Sequence, residues 1–178
     1  ALLHDHQGNI YAGTKRNGLF KLTRRGKLDY AVSHYRHHPD DAYSLSNDNI
    51  YALRQDNQGR IWIATYGGGL NLMDGERFIN PGNEFGNYPD QQGLKVRHLA
   101  QDRQGNLWLG TTDGLMLAQP HAPDHHETRF TLFTPSLGNT SGLLSNDVFL
   151  VLCNSAGTLY VTTLGGGLSI LKETDPQT

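Results

Sequence analysis

Apolar residues in this chain come in short runs, and polar, glycine-bearing turns separate them. Ile50-Tyr51-Ala52-Leu53, Ile61-Trp62-Ile63-Ala64 and Gly69-Leu70-Asn71-Leu72 form one such trio. Val96 to Leu99, Leu107 to Gly110 and Gly114 to Leu117 form the next, and Val148 to Leu152, Leu159 to Thr162 and Gly167 to Ile170 a third. Their brevity and their β-branched and aromatic content predict strands. The middle run carries apolar residues at successive positions, Ile61 and Ile63 on one face and Trp62 with Ala64 on the other. A sheet apolar on both faces needs a layer against each of them.

The trios are in register. Aligned on Gly8, Gly59, Gly105 and Gly157, the same block returns roughly every 50 residues, a period that signals stacked repeat units. Between the first two runs stands Asp-x-x-Gly: Asp5/Gly8, Asp56/Gly59 and Asp102/Gly105, with Asn154/Gly157 in the last copy. An Asp or Asn at the first turn position accepts backbone amides ahead of it, and a glycine with positive φ closes the hairpin. Weaker, more polar runs at Tyr30 to Tyr35, Arg77 to Ile79 and Arg129 to Phe133 predict outer edge strands. The expected fold is all-β: a partial β-propeller of about four blades, each an antiparallel sheet of three to four strands. The blades fall at approximately 1–35, 45–79, 94–133 and 143–171 of a single propeller segment, 1–178. The first copy lacks most of its first strand and the last stops before its outer strand. Those ragged ends predict a fragment of a larger multi-blade domain, with an apolar face at each end ready for self-association or for further blades.

Composition narrows the picture. At 37% hydrophobic residues, with 21 glycines and 18% charged residues, the chain is globular rather than disordered. A net charge of −2 gives no electrostatic case for nucleic acid, and no long apolar run provides a membrane segment. Cys153 is the single cysteine, which excludes a disulfide framework; burial is expected for it.

The repeat resembles that of the two-component-regulator propeller family, whose pattern is roughly Leu-Ser-x-Asn-x-Val/Ile, then Asp-x-x-Gly-x-Leu/Ile-Trp-Ile/Leu-Gly-Thr, then Gly-Gly-Leu. Leu45-Ser46-Asn47-Asp48-Asn49-Ile50, Asp56, Gly59, Ile61 to Thr65 and Gly68-Gly69-Leu70 match nearly throughout. The last copy matches at Leu144 to Val148, Gly157, Thr163 and Gly165 to Leu168, with Tyr160 for Trp and Asn154 for Asp; the third has Asp113-Gly114 in place of Gly-Gly. The resemblance implies a periplasmic sensor region of a membrane-anchored hybrid histidine kinase and response regulator, of a kind that senses glycan breakdown products. Kinase, receiver and inner-membrane anchor would lie outside this segment.

Candidate chemistry is sparse. Tyr11, Trp62, Trp108 and Tyr160 share one position inside the second strand, so core packing is expected of them rather than sugar stacking. The histidine groups His4/His6, His34/His37/His38 and His121/His125/His126 lie in polar segments without metal-ligand spacing. The Gly-Gly-Gly stretches are not followed by Lys-Ser/Thr and read as turns. No catalytic residue, metal site or cofactor is assigned. Ligand contacts are expected from residues that differ between copies on loops of one rim: Lys15, Arg16, Tyr66 and Asp113 in the turns after the second strand, and Arg97 near the start of a first strand, where Tyr51 and Phe149 are its equivalents. The expected function is a non-catalytic sensor segment recognising an oligosaccharide; the alternatives are a lyase-type propeller enzyme and a protein-binding scaffold propeller.

Overall fold

A computed structural model describes residues 1–89, 91–120, 127–136 and 142–171. Fifteen strands make four antiparallel sheets, and no α-helix occurs among these residues. Sheet 1 holds β1 (Leu2–His4), β2 (Ile10–Gly13), β3 (Leu19–Arg24) and β4 (Tyr30–Tyr35). Sheet 2 holds β5 (Ile50–Gln55), β6 (Ile61–Thr65), β7 (Gly69–Asp74) and β8 (Arg77–Ile79). Sheet 3 follows with β9 (Val96–Gln101), β10 (Leu107–Thr111), β11 (Leu115–Gln119) and β12 (Arg129–Phe133). Sheet 4 has three strands, β13 (Val148–Cys153), β14 (Leu159–Thr163) and β15 (Gly167–Leu171). In every sheet consecutive strands are neighbours, and the expected outer strands are all present. The chain divides into two units, 1–86 with 94–96, and 87–93 with 97–178.

In the first unit, Leu3, Tyr11, Leu19 and Tyr35 lie on one face of sheet 1 and pack against Ile50, Leu53, Ile61, Ile63, Met73 and Phe78. Gly13 lies on that face, and any Cβ there would run into the Ile50 side chain, so glycine sets how closely the two sheets approach. The second unit repeats this arrangement: Trp108 and Leu115 of sheet 3 meet Val148, Val151, Leu159 and Val161 of sheet 4, with Gly110 set against Val148. Within each unit the tyrosine or tryptophan face of the first sheet thus packs on the isoleucine or valine face of the second.

The turn Asp does more than cap its hairpin. Asp56 accepts the backbone amides of Gln58 and Arg60, both at 2.9 Å, the Arg60 guanidinium at 2.6 Å and the indole N–H of Trp62 at 2.8 Å. Asp102 accepts the Trp108 indole at 3.0 Å, and Asp5 accepts the Tyr11 hydroxyl at 3.3 Å. In the last copy both partners change together: the amide of Asn154 donates to the Tyr160 hydroxyl at 3.5 Å. An indole only donates and needs an acceptor; a phenol can accept from an amide. Burial alone would raise the Asp56 carboxyl, yet the bonds from Trp62 and Arg60 hold it below the ordinary carboxylate value. Trp62 itself is 0% exposed.

Two expectations need correction. Cys153 is only half-buried, because it sits at the end of β13 next to the hairpin turn. Tyr160 is also only partly buried, whereas Trp62 and Tyr11 are core residues and Trp108, though partly exposed, packs against the core between sheets 3 and 4 as expected. Position in the repeat is equal for the four aromatics, but coverage depends on what lies against each sheet.

Candidate functional site

The turn from β2 to β3 is tied down by Thr14, whose hydroxyl donates to Gly18 O at 3.0 Å and accepts Asn17 N at 2.8 Å. Gly18, with φ of 67°, donates to Asp48 O. Lys15 and Arg16 are thereby held exposed at the tip. The start of β5 lies alongside, since Ile50 N donates to Thr14 O at 2.7 Å. There the register against β6 shifts between Ile50 and Ala52, leaving Tyr51 as the extra residue of a β-bulge. Bulges re-aim a side chain, and Tyr51 is turned out of the sheet and exposed.

Tyr66 follows β6. Its amide donates to Asn49 O at 2.8 Å, and Gly67 N and Gly69 N both donate to Leu94 O. An isolated bridge pairs Tyr66 with Lys95. These bonds bring four residues from distant parts of the chain together. The Tyr51 and Tyr66 rings stack at 4.9 Å with 24° between their planes. The Lys15 ammonium lies 5.9 Å from the Tyr51 ring centre, and the Lys95 ammonium 5.8 Å from that of Tyr66. The carboxylate beside this turn, Asp48, is engaged by Arg36 at 2.9 Å and by His37 N at 2.8 Å. Among the described residues neither lysine forms an ion pair.

The equivalent place in the second unit is chemically different. Phe149 is the bulged residue of β13, and Arg97 lies 5.8 Å from its ring centre. Arg97, however, is ion-paired with Asp147 and largely buried, so its charge is spent inside the fold. Asp113 accepts Gly93 N at 2.9 Å and fixes that loop. Of the expected ligand residues, then, Lys15 and Tyr66 converge, Arg16 sits beside Lys15 on the turn, and Arg97 and Asp113 belong to the other unit. Sequence reasoning missed Lys95. The available signal was its variation between copies, since Asn49 and Asp147 hold the corresponding place two residues before Tyr51 and Phe149.

Other candidates are engaged locally. His34 stacks on Phe20 at 4.0 Å and its ring bonds Asn17 O, while the His37 ring bonds Leu45 O. His121, His125 and His126 lie outside the described residues. Among the described residues no three His, Cys, Asp or Glu side chains gather as a metal site. A cavity of about 270 Å³ in the second unit is lined by Trp108, Phe133, Leu143, Ser169 and Leu171.

Two stretches, residues 44–67 and 90–113, match the model of the two component regulator propeller family. No curated protein matches the chain. Among solved structures, the extracellular domain of BT4673 from B. thetaiotaomicron, named in one structure a one component system and in another a hybrid two component system, superposes with TM-score 0.72. Identity is 19–20%, over 99% of this chain and 23% of that one. PorZ, a surface component of the type-IX secretion system of Porphyromonas gingivalis, gives 0.68 at 21% identity, over 96% of this chain and 25% of that one. Virginiamycin B lyase from Staphylococcus aureus gives 0.61 at 12% identity, over 98% and 55%. The chain spans about a quarter of the length of the first two. No helix among the described residues is long and apolar enough to cross a membrane. This is an all-β chain with a partial β-propeller fold, and its repeats at residues 44–67 and 90–113 match the model of the two component regulator propeller family.

Proposed function

We propose that this chain is a non-catalytic segment of an extracellular sensor propeller, facing the periplasm, that recognises a glycan-derived ligand and relays its presence to a histidine kinase encoded outside these residues. The observation that carries the reading is the family match at residues 44–67 and 90–113, on the same repeats that place Tyr51, Tyr66 and Lys95. The likeness of fold to the BT4673 extracellular domain supports it. Remaining blades of the parent, or a second copy, cover the apolar end faces: Leu2 and Val32 on sheet 1 are 79% and 64% exposed, and Leu152 and Ile170 on sheet 4 are 61% and 55% exposed.

Signalling requires that the ligand bind two receptor states with different affinity. The test is a transcriptional reporter in cells producing the complete encoded protein, challenged with a panel of plant and host glycan oligomers. One glycan class should induce the reporter, and deleting residues 1–178 should abolish that response. Consumption of the glycan by the purified complete ectodomain would point to the lyase-type enzyme instead. Capture of a defined protein with no glycan response would point to a scaffold.

A further inference from the structure

We propose that Lys15, Tyr51, Tyr66 and Lys95 form one subsite for an acidic sugar, a saccharide unit carrying a carboxylate or sulfate. The inference rests on the reading of the chain as a glycan-recognising segment, and it names both the place and the charge class of the ligand.

Four observations meet here. The two aromatic rings are stacked on each other at 4.9 Å, and Tyr51 is put there by a bulge rather than by the regular pleat. Each ring carries one ammonium, at 5.9 and 5.8 Å, so the positive charges flank the aromatic pair. Neither ammonium has a carboxylate partner among the described residues, and the neighbouring Asp48 is already taken by Arg36. In the other unit the cation beside the bulged Phe149 is Arg97, which holds in its own repeat the place of Tyr51, and there Asp147 closes an ion pair with it.

The chemistry follows from the groups. Two ammonium groups select for an anion, and charge-assisted hydrogen bonds to a carboxylate or sulfate are stronger than neutral ones. Aromatic faces and edges offer flat apolar contact to the C–H surface of a pyranose, and the phenolic hydroxyls donate to ring substituents. The adjoining turn is Gly67-Gly68-Gly69, which raises no side-chain wall, so the subsite is open along the rim and suits one unit of a longer oligomer.

The experiment is titration calorimetry on the 178-residue chain with trigalacturonate, a sulfated disaccharide, neutral maltotriose and sodium sulfate, each at about 20 and 200 mM NaCl. An acidic sugar should bind saturably, and its affinity should fall with salt as an exposed charge contact does. Lys15→Gln and Lys95→Gln should each weaken it by about tenfold, equivalent to one lost charge-assisted contact. Lys95→Arg should keep most of the affinity. Tyr51→Ala should weaken it without changing its salt dependence, and Lys27→Gln, which removes an equal charge elsewhere, should leave it unchanged. Which of trigalacturonate and the sulfated disaccharide binds tighter identifies the anion. Maltotriose binding as tightly, Lys15 and Lys95 variants behaving like Lys27→Gln, or sulfate alone matching the sugars would each overturn the inference. The first two would leave the sensor reading standing, because a neutral or differently placed ligand still induces the reporter. Silence toward every sugar also overturns this inference, and the reporter then decides the sensor reading separately.

Discussion

Replacing Asp56 by Asn keeps size and shape but takes away the carboxylate on which four donors converge. The remaining Oδ1 still accepts the Gln58 and Arg60 amides at the turn, as Asn154 does for Ala156 and Thr158. The new amide N–H₂ then faces the indole N–H of Trp62, donor against donor, at a side chain that is fully buried. An unsatisfied buried donor costs about 1–3 kcal/mol, and the lost charge-assisted bond to the partly exposed Arg60 adds roughly 1 kcal/mol. Asp56→Asn should therefore lose about 2–4 kcal/mol. Changing Trp62 to Tyr in the same molecule recreates the Asn154/Tyr160 pairing, in which the phenol accepts from the amide. The double variant should then be more stable than the sum of the two single losses by at least about 1 kcal/mol. Urea unfolding followed by circular dichroism gives each ΔG, with equal m-values as the check that the transition is the same. Asp56→Asn within about 0.5 kcal/mol of the parent, or strictly additive losses, would refute the pairing argument.

Other consequences are simpler. Trp62→Ala should cost about 3–5 kcal/mol, as for a large aromatic removed from a core, whereas Tyr160→Ala on the partly exposed face of sheet 4 should cost distinctly less in the same unfolding assay. Asp5 and Asp56 are held below the usual carboxylate value in the fold; burial opposes this, but bonds from Asn9 and Gln7, and from Trp62 and Arg60, outweigh it. Their contribution is present above roughly pH 4 and is lost as pH falls through the lower folded values, so thermal midpoints should drop steeply only below that pH. Burial, and then the Asp5 carboxylate, push Tyr11 up to about 12. Stability from its neutral form is complete below the ordinary value near pH 10 and is lost as pH rises toward about 12, which a pH series of melting curves reads directly. Leu168→Lys with Ile170→Lys should reduce self-association in sedimentation velocity without lowering the melting midpoint, because both side chains are more than half exposed.

Much of the fold was legible because local chemistry repeats it four times. The Asp-x-x-Gly turns have glycines at φ of 82–88°, as the hairpin requires, and the weak edge strands at Tyr30, Arg77 and Arg129 start where their polar alternation begins. What the pattern did not show was the bond from Asp56 to Trp62. It joins the first turn position to the second position of the next strand, and turn chemistry alone accounted for both residues. The site was half legible. Variation between copies marked Lys15, Tyr51 and Tyr66, but their meeting depends on a bulge and on the bridge from Tyr66 to Lys95, which are not local in sequence. Arg97 varies just as much and is spent on Asp147, a distinction only the ion pair reveals.

The central claim is recognition without chemistry. Isothermal titration of the chain with acidic oligosaccharides, followed by mass spectrometry of the sugar recovered from the cell, tests both halves in one sample. The account predicts saturable heat that fades with salt, and an oligosaccharide of unchanged mass and linkage. Shortened or unsaturated products accumulating with time would contradict it and make this propeller an enzyme.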